Sequence, residues 1–365
     1  MAVLKKIVVQ DFRNIALQEL DFSPNINCIC GNNGEGKTNL IDAVYYLSMT
    51  KSAFSTSDRF NFRHGTESFS LSGLYAMPGG MDSRFSIKVD SGGEKKIRRD
   101  DKPYPRASGH IGVLPVVMVS PQDYSLVAES GEERRRFVNA VLSQMDREYL
   151  DGLQQYNRLL MQRNRLLKEG SIDTGLLDVF DQRMDALSVP ISKARESFVR
   201  QLYPVVRDYY AFISGGTEQV GIGYRSDLQD APLADILRER RDRDAAMRFT
   251  TAGLQRDDFL FTLNGWPIRK CGSQGQQKSF LVALKFAQYE VMKRNYGFTP
   301  ILLLDDLFDK LDPGRTANLL KMVAGQEFGQ IFLSDCNKVR MSSIVDEITR
   351  DRAYFEAEGG SFRLL

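Results

Sequence analysis

Cysteine is scarce in this sequence, and the spacing that would make it informative is missing. The chain has four cysteines in 365 residues, and no two of them form a Cys-x-x-Cys pair. A zinc hook needs that pair, so a tether joined through a metal is excluded. We expect Cys28, Cys30, Cys271 and Cys336 to be core thiols of a protein in a reducing compartment.

Long apolar runs, internal repeats and low-complexity tracts are also missing. No stretch approaches the length of a membrane span, and the opening MAVLKKIVVQDF carries charges where a signal peptide needs an apolar run. We therefore expect a soluble, cytoplasmic protein without a membrane partner. The net charge of +2 is close to zero for this length, so any binding of nucleic acid must depend on local basic patches.

The order of the predicted elements indicates a sheet that is split in sequence by a helical insertion. Short strand patterns fill the first quarter of the chain, interrupted by one helix from Lys37, and strand-helix-strand alternation fills the last third. Between them, apolar residues keep a helical period in two series separated near Gly170. This predicts a helical hairpin with residues 132–168 as its first arm. Pro190 and Pro204 in the second arm predict a kink or a break.

The length of the chain exceeds that of a typical single core, which favours two domains or one domain with a large insertion. We assign residues 1–130 and 246–365 to one α/β domain with a partly parallel sheet, and residues 131–245 to the insertion. Just inside the last segment, the strand patterns FLFTL and WPIRK flank Asn264 and Gly265, a strong signal for a β-hairpin.

The stretch GNNGEGKT carries the clearest functional signal. It fits the phosphate-loop pattern GxxxxGK[ST] and lies between the strand pattern INCIC and a predicted helix, which is the context that the pattern needs. The glycines free backbone N–H groups to wrap phosphates, Lys37 reaches the β and γ oxygens, and Thr38 can bind magnesium. We therefore predict ATP and Mg²⁺ as cofactors. The predicted nucleotide-binding residues of this loop are Gly31, Asn32, Asn33, Gly34, Glu35, Gly36, Lys37, Thr38 and Asn39.

A second motif, which is acidic, supplies the carboxylates that a phosphate loop needs for the metal and the attacking water. The apolar strand pattern ILLLDD delivers Asp305 to the magnesium ion and places Asp306 where a carboxylate can orient an attacking water. Gln122, at the end of another apolar strand, is a candidate for a further contact to metal or water. The alternatives are a core strand that ends in solvated acids and a loop glutamine without a role.

The run SQGQQK, at residues 273–278, precedes a strongly apolar helix. Small and amide side chains at a helix N-terminus offer donors and the positive end of the helix dipole, which favour a bound phosphate. For the run taken alone, an ordinary helix cap by Ser273 or Ser279 is the favoured interpretation. In the ATP-binding-cassette group, a Ser-x-Gly-Gln turn at this place caps the γ-phosphate bound by a second subunit. Ser273, Gly275 and Gln276 resemble that turn.

Stretches spread over nearly the whole chain resemble the RecF family of bacterial recombinational-repair ATPases. They are DFRNI, GNNGEGKTNLIDAVYYLS, ERRRFVNAVLSQMDREYLDGLQQYNRLLMQRNRLLK, RDDFLFTLNG, SQGQQKSFLVALKFA and LLLDDLFDKLD. The resemblance implies an α/β fold: an ABC-type P-loop ATPase head, whose mixed sheet includes antiparallel strands, with an inserted helical hairpin arm. Residues 1–130 and 246–365 would form the head, and residues 131–245 the arm.

The resemblance also implies a function and two further site residues. It implies an ATP-dependent homodimer on DNA, slow DNA-stimulated ATP hydrolysis, and cooperation with RecO and RecR mediators to load recombinase at gaps. Arg13 would lie near the nucleotide, and Asp312 would lie in the loop that crosses between heads. Some positions depart from the family pattern: KSAFSTSD replaces its Ser-His-Arg, Leu254 and Gln255 stand for Pro and His, and Ser334 and Asp335 stand where a Thr or His approaches the γ-phosphate.

Local basic patches are the sequence's own support for DNA binding. One is the charged hairpin between residues 94 and 106, and the other is on the arm. Charge runs are usually solvated faces, so either patch taken alone favours that alternative over a DNA contact. The pattern leaves open whether single-stranded or double-stranded DNA, a gap or a junction is preferred. The resemblance implies a cytoplasmic protein that is associated with the nucleoid. The predicted DNA contacts are Lys95, Lys96, Arg98, Arg99, Lys102, Arg163 and Arg165.

Three other functions are compatible with a nucleotide loop and a helical insertion. A transporter ATPase is disfavoured by the separation of Lys37 and Ser273 and by the weak match to a Leu-Ser-Gly-Gly-Gln turn. A long-armed tether is disfavoured because residues 132–168 as one helix span only about 55 Å at about 1.5 Å per residue. A DNA clamp that holds ATP without hydrolysing it stays open, since Asp306 is shorter than the Glu often found at that position.

Overall fold

The computed structural model describes residues 2–129, 131–169, 173–216, 218–306, 328–338, 342, 345–346 and 349–365. The strands are β1 Val3–Phe12, β2 Ile15–Asp21, β3 Ile26–Cys30, β4 Ser68–Ala76, β5 Asp82–Asp90, β6 Lys95–Arg99, β7 Lys102–Pro103, β8 Val116–Val119, β9 Val220–Arg225, β10 Asp258–Leu263, β11 Trp266–Pro267, β12 Ile301–Asp305, β13 Ile331–Asp335, β14 Arg352–Glu358 and β15 Ser361–Leu364. The helices are α1 Lys37–Met49, α2 Ser125–Ala128, α3 Gly131–Met145, α4 Arg147–Leu166, α5 Thr174–Ser214, α6 Leu233–Glu239, α7 Arg241–Met247, α8 Ile268–Cys271 and α9 Gln274–Tyr296.

Two sheets form the first compact unit, which comprises residues 1–123 and 285–365. One sheet has the order β2-β1-β4-β5-β6-β7, and its neighbouring strands are antiparallel. The other has the order β15-β14-β3-β13-β12-β8, in which only the β14–β15 pair is antiparallel. Helix α1 contacts strands of both sheets. The predicted α/β architecture, with a partly parallel sheet and additional antiparallel strands, is confirmed.

The central strands of the parallel sheet explain where the polar motifs meet. Every residue of β3, β8, β12 and β13 is buried, as expected for strands covered on both faces. Because these strands are parallel, their carboxyl ends lie at one edge of the sheet. The residues that follow β3, β8 and β12 are the GNNGEGKT loop, the turn with Gln122, and Asp306.

The second compact unit comprises residues 124–284 and contains the helical hairpin, which α4 and α5 form together. It also contains a three-stranded sheet in the order β11-β10-β9. The predicted first arm is divided into α3 and α4 at Asp146. The Asp146 carboxylate accepts hydrogen bonds from the backbone N–H of Glu148 at 2.8 Å and of Tyr149 at 3.1 Å. This is an N-cap, which starts a new helix although the apolar period continues.

Helix α5 passes through Pro190 and Pro204 as one element of 41 residues, so the prolines do not interrupt the second arm. Met184, Ile191 and Phe198 are buried at helical spacing on either side of Pro190. Packing of this face stabilises the helix against the missing backbone hydrogen bonds.

The hairpin around Asn264 and Gly265 is confirmed, with positive φ of 49° and 83° at the two turn residues. Its second strand is shorter than expected, because Trp266–Pro267 is the strand and Ile268–Cys271 is helical. The cysteine prediction is right for Cys28 and Cys30, which are buried, and wrong for Cys271 and Cys336, which are exposed. Among the described residues, no helix combines the length and the apolar character required to cross a bilayer.

Candidate nucleotide-binding site

The loop between β3 and α1 has a backbone that only glycine can follow at two points. Gly31 has a φ of 152°, and a Cβ on it would lie 2.6 Å from the carbonyl oxygen of Ala357 in β14. Gly36 has a φ of 104°, and a Cβ there would lie 2.8 Å from the side-chain amide of Asn14. The loop is therefore pressed between the β1–β2 turn and β14. Side chains at either glycine would displace its backbone N–H groups.

Lys37 opens α1 and is only 4% exposed. Its Nζ donates hydrogen bonds to the carbonyl oxygens of Gly31 at 2.7 Å and Asn32 at 2.9 Å. Both acceptors belong to the loop itself, so the ammonium lies inside the curve of the loop. A cation in this position attracts phosphate oxygens that enter the loop.

Thr38 and Asp305 lie together, as the two sequence motifs predict. The Thr38 hydroxyl donates to both carboxylate oxygens of Asp305, at 3.1 and 3.0 Å. Burial raises the pKa of Asp305, and its hydrogen bonds from Ser334 and Thr38 oppose that shift. A hydroxyl and a carboxylate are hard oxygen ligands. They fit Mg²⁺, which in nucleotide sites takes one or two protein oxygens together with phosphate oxygens and water.

Asp306 follows β12 in a left-handed conformation, with a φ of 45°. Its backbone N–H donates to Ser334 Oγ at 3.1 Å, and the same hydroxyl donates to Asp305 at 2.6 Å. One buried serine of β13 thus contacts both acidic residues. A pocket of about 250 Å³ joins Asp306 to the loop. Its lining residues are Asn33, Gly34, Gly36, Lys37, Thr38, Asn39 and Asp306.

Arg13 lies beside the first turn of α1. Its guanidinium forms an ion pair with the buried Asp42 at 2.8 Å and donates to Asn39 Oδ1 at 3.1 Å and to Ser52 Oγ at 2.9 Å. Burial raises the pKa of Asp42, and the charge of Arg13 opposes this shift. Arg13 therefore holds the end of the nucleotide loop through Asn39, and Ser52 of the divergent KSAFSTSD stretch supports it.

Sequence reasoning missed Asn14 and the C-terminal hairpin as parts of this site. Asn14 Oδ1 accepts from Asn39 Nδ2 at 2.7 Å. In the turn between β14 and β15, Gly360 N–H donates to the carbonyl oxygen of Glu35 at 3.0 Å, and Gly359 N–H donates to the Glu35 carboxylate. Only the position of Asn14 next to Arg13 signals its role in the sequence, and nothing local signals the role of the hairpin.

Gln122 is exposed in the 3₁₀ turn Pro121–Tyr124, directly after β8. Within the part of the chain that the structure describes, no hydrogen bond joins Gln122 to Thr38, Asp305 or Asp306. Its role at the metal or the water stays a prediction. Asp312 lies outside the described residues.

The run SQGQQK begins α9 in the second unit with a reciprocal cap. Ser273 Oγ accepts from the Gln276 N–H at 3.2 Å, and Gln276 Oε1 accepts from the Ser273 N–H at 2.7 Å. This is a capping box with glutamine at its fourth position. Ser279 instead donates to the carbonyl oxygen of Gly275 at 2.9 Å. The helix-cap interpretation therefore holds for Ser273, which remains exposed, while the role of Ser273, Gly275 and Gln276 at a second subunit's phosphate stays a prediction.

Arg163 is not available to DNA. Its side chain is fully buried and forms ion pairs with Asp181 and Asp244, both at 2.7 Å. Asp181 also pairs with Arg241, at 3.4 Å, so that two carboxylates meet two guanidinium groups and form an internal ionic centre. Arg165, two residues further on the same helix, is 87% exposed and is the better placed cation. The prediction of a DNA contact is wrong for Arg163. Two positions along a helix differ by about 200° of rotation, so Arg163 lies on the buried face and Arg165 on the exposed one.

The basic hairpin is exposed over most of its length. Lys95 is the exception, since its Nζ forms an ion pair with Asp58 at 2.8 Å and donates to the carbonyl oxygen of Thr50 at 2.7 Å. The remaining predicted contacts of the hairpin are exposed: Lys96, Arg98, Arg99 and Lys102.

Known proteins resemble the chain over its full length. The DNA replication and repair protein RecF of Bacteroides fragilis (strain YCH46) is 42% identical over 360 residues, which are 98% of this chain and 97% of that protein. A solved structure of the recombination mediator protein RecF-ATP in the RecFOR pathway covers 100% of this chain and 98% of its own, with a TM-score of 0.89 and 27% identity.

Two broader similarities agree with the observed fold. The family model described as an AAA domain matches residues 6–177. The Smc head domain of Pyrococcus furiosus, solved with an extended coiled coil and bound to ScpA, covers 100% of this chain and 96% of its own at 12% identity, with a TM-score of 0.61. The architecture is thus the ABC-type ATPase head. With its loop, its acidic strand and its helical arm in place, the chain belongs to the RecF family of DNA replication and repair proteins.

Proposed function

We propose that the pocket around Lys37 binds ATP with Mg²⁺ and hydrolyses it. The observation that carries this proposal is the convergence of three groups in the first unit: the Lys37 ammonium inside the loop, the Thr38–Asp305 oxygen pair at 3.0 Å, and Asp306 in the same pocket of about 250 Å³. A phosphate chain needs a cation, a metal site and donors at one place.

Each residue has a distinct task in this proposal. Lys37 exchanges the carbonyl oxygens of Gly31 and Asn32 for the β and γ oxygens of the nucleotide. Thr38 and Asp305 would hold a magnesium ion, and the bound ion would neutralise charge on the phosphates. Asp306 accepts a hydrogen bond from the attacking water and orients it, and Ser334 fixes the position of both acidic residues.

We further propose that ATP drives homodimerisation. Ser273, Gly275 and Gln276 of one chain would cap the γ-phosphate bound by the loop of the other. The exposed Ser273 hydroxyl and the start of a 23-residue helix support this role, because a helix N-terminus favours a phosphate. Gln122 and Asp312 would complete the composite site.

The dimer would act on DNA in recombinational repair. Family membership supports a role in replication and repair, and the related RecF-ATP structure in the RecFOR pathway supports cooperation with RecO and RecR. We assign the DNA contacts to Lys96, Arg98, Arg99, Lys102 and Arg165, which are exposed. Hydrolysis would be slow and stimulated by DNA, in the cytoplasm at the nucleoid, and residues 131–245 would serve as the arm.

The test is to measure ATP binding and phosphate release, with and without DNA, for three proteins. Lys37→Ala should weaken ATP binding, because it removes the one point charge inside the loop. Asp306→Asn should keep binding and slow phosphate release, because an amide cannot accept the proton. If wild type binds ATP but releases no phosphate under any condition, the protein is a non-hydrolysing clamp and the enzymatic part of the proposal is wrong.

A further inference from the structure

Two adjacent glutamines in the run SQGQQK hold the start of α9 from different sides. Gln276 is part of the capping box with Ser273, whereas Gln277 is buried, at 7% exposed. The partners of both side chains lie in the second unit, which comprises residues 124–284. The contacts of the two amides determine how firmly the turn is held.

The amide of Gln277 is fixed by the backbone that enters the turn. Its Nε2 donates to the carbonyl oxygens of Gly272 at 2.8 Å and Ile268 at 3.3 Å, and its Oε1 accepts from the Tyr124 hydroxyl at 2.6 Å. Both ends of this buried amide are therefore used inside the protein, and Gln277 supports the turn from within.

The amide of Gln276 has a carboxylate as its second partner. Its Oε1 accepts from the Ser273 N–H at 2.7 Å, and its Nε2 donates to Oε1 of Glu218 at 2.8 Å. Because a carboxylate only accepts, Glu218 permits one orientation of the amide, with the oxygen towards Ser273. The bond to the charged carboxylate is also the stronger of the two.

Glu218 is itself held by the long helix α5. Its other carboxylate oxygen accepts a hydrogen bond from the Tyr210 hydroxyl. Tyr210 is fully buried, and the centroid of its ring lies 6.4 Å from that of Phe280 in α9. An aromatic contact between α5 and α9 thus supports the carboxylate, and the hydrogen bonds from Tyr210 to Glu218 and from Gln276 to Glu218 connect α5 to the turn.

We propose that Glu218 is a positioning residue for the turn that contains Ser273, Gly275 and Gln276. It acts through the amide of Gln276, which it holds in the orientation that the capping box needs, while the Ser273 hydroxyl stays exposed. A turn that is ordered in advance loses less entropy when it binds. The importance of this role for ATP-driven dimerisation rests on the proposed function, in which the turn caps a phosphate bound by a second chain.

Dimerisation separates positioning from simple electrostatics, because the two predict opposite signs. Glu218→Ala removes a negative charge near the proposed phosphate cap, which by charge alone should favour capping. If Glu218 positions Gln276, the same substitution should instead weaken dimerisation about tenfold or more, the size of a lost hydrogen bond to a charged group. Glu218→Gln keeps an acceptor for Gln276 and should retain dimerisation. The measurement is light scattering of full-length protein with a slowly hydrolysed ATP analogue.

A swap of amide and carboxylate tests the contact itself, without nucleotide. Gln276→Glu is compatible with the capping box, in which Glu is a common partner. It also brings a second carboxylate against Glu218, where the amide donates at 2.8 Å, and the repulsion should pull the side chain away from Ser273. Adding Glu218→Gln restores one amide and one carboxylate, with the direction of the bond reversed. The Tyr210 hydroxyl can donate or accept, so it tolerates either arrangement.

Hydrogen exchange followed by mass spectrometry reports on this turn in the full-length monomer. The peptide with Ser273 and Gln276 should exchange about tenfold faster or more in Gln276→Glu, and at the wild-type rate in the double variant. Tm and exchange in the rest of the unit should change little. Glu196→Ala, which removes an exposed glutamate elsewhere on α5, is the matched control and should behave as wild type in both experiments.

The two experiments fail separately. Equal exchange in wild type and Gln276→Glu, or a double variant that exchanges as fast as Gln276→Glu, overturns the role of Glu218. So does Glu218→Ala protein that dimerises as well as wild type. If the exchange rates follow the expected order but wild type does not dimerise with ATP, Glu218 still positions the turn, and the proposed cap on a second chain's phosphate is wrong.

Discussion

The hydroxyl of Ser334 donates to Asp305 at 2.6 Å and accepts from the backbone N–H of Asp306 at 3.1 Å. A single side chain from the neighbouring strand β13 therefore fixes two groups. They are the carboxylate that we propose as a metal ligand and the residue that we propose to orient water. The hydroxyl is fully buried, so no water can replace it without rearrangement. Ser334 is therefore a positioning residue for both acidic groups.

Ser334→Ala should lower the rate of ATP hydrolysis about tenfold or more, the size of a lost hydrogen bond to a charged group. Affinity for ATP should change less, because Lys37 and the loop are untouched. The measurement is single-turnover phosphate release beside equilibrium binding of a fluorescent nucleotide. Ser334→Thr keeps the hydroxyl and should restore most of the rate. A Ser334→Ala protein that hydrolyses at the wild-type rate would show that the serine has no positioning role.

The turn between β14 and β15 offers a matched pair of glycines. A Cβ on Gly360 would lie 2.3 Å from the backbone oxygen of Asn14, whereas a Cβ on Gly359 meets no atom within 4 Å, and both residues have positive φ. Gly359→Ala should cost about 1 kcal/mol of unfolding free energy, the strain of a left-handed conformation. Gly360→Ala adds a clash, which costs about 1–3 kcal/mol more.

Because Gly360 also donates to Glu35 of the nucleotide loop at 3.0 Å, its replacement should weaken ATP binding beyond the effect of Gly359→Ala. Chemical denaturation and nucleotide titration of the two variants check both statements. Equal effects of the two substitutions would mean that the turn does not brace the loop.

The arrangement of the candidate nucleotide site could be predicted from sequence because its parts are local. The glycines within residues 31–38 indicate the backbone conformation of the loop by themselves. The apolar run before Asp305 likewise indicates a buried strand that ends at this residue, without any information on the neighbouring strands. The contribution of Asn14 depends on a contact made across 25 positions of the chain with Asn39. No periodicity records such a contact.

The arm shows the same limit in another form. A helical period runs through Asp146 without a gap, yet the carboxylate of that residue caps a new helix. Likewise, the sequence alone indicates an exposed cation at Arg163, because it does not show that Asp181 and Asp244 face this residue in the fold. Charge in a sequence indicates a surface only when no opposite charge meets it in the fold.

Arg163→Ala should lower the unfolding free energy by about 3–5 kcal/mol. Within the described residues, it leaves the buried Asp244 without a counterion and leaves Asp181 with only its longer ion pair to Arg241, at 3.4 Å. Arg165→Ala, at an exposed position, should change stability by less than about 0.5 kcal/mol. Denaturant unfolding of the two variants gives both values.

For DNA affinity, the order of the two variants should reverse. Arg165→Ala should weaken DNA binding and reduce its salt dependence, while folded Arg163→Ala protein should bind DNA as wild type does. Loss of DNA affinity in Arg163→Ala without loss of stability would restore Arg163 as a contact.

The role of Ser273 can be tested without disturbing the helix that it caps. Asp and Asn are both good N-caps, so Ser273→Asp and Ser273→Asn should preserve the cap on Gln276 and the stability of the monomer. In the closed dimer, however, the Asp carboxylate would face the neighbour's γ-phosphate, and the two negative charges would repel each other at short range. Ser273→Asp should therefore bind ATP as a monomer and fail to dimerise, while Ser273→Asn should keep much of its dimerisation.

Light scattering with a slowly hydrolysed ATP analogue gives the mass of each protein directly. A mixture of Ser273→Asp and Lys37→Ala chains provides the second test, because each composite site takes its loop from one chain and its cap from the other. The heterodimer would combine the intact loop of the Ser273→Asp chain with the intact cap of the Lys37→Ala chain, and it should therefore hold one complete site. Dimerisation of Ser273→Asp alone at the wild-type level would mean that Ser273 is only a helix cap, since no phosphate from another subunit could then lie against it.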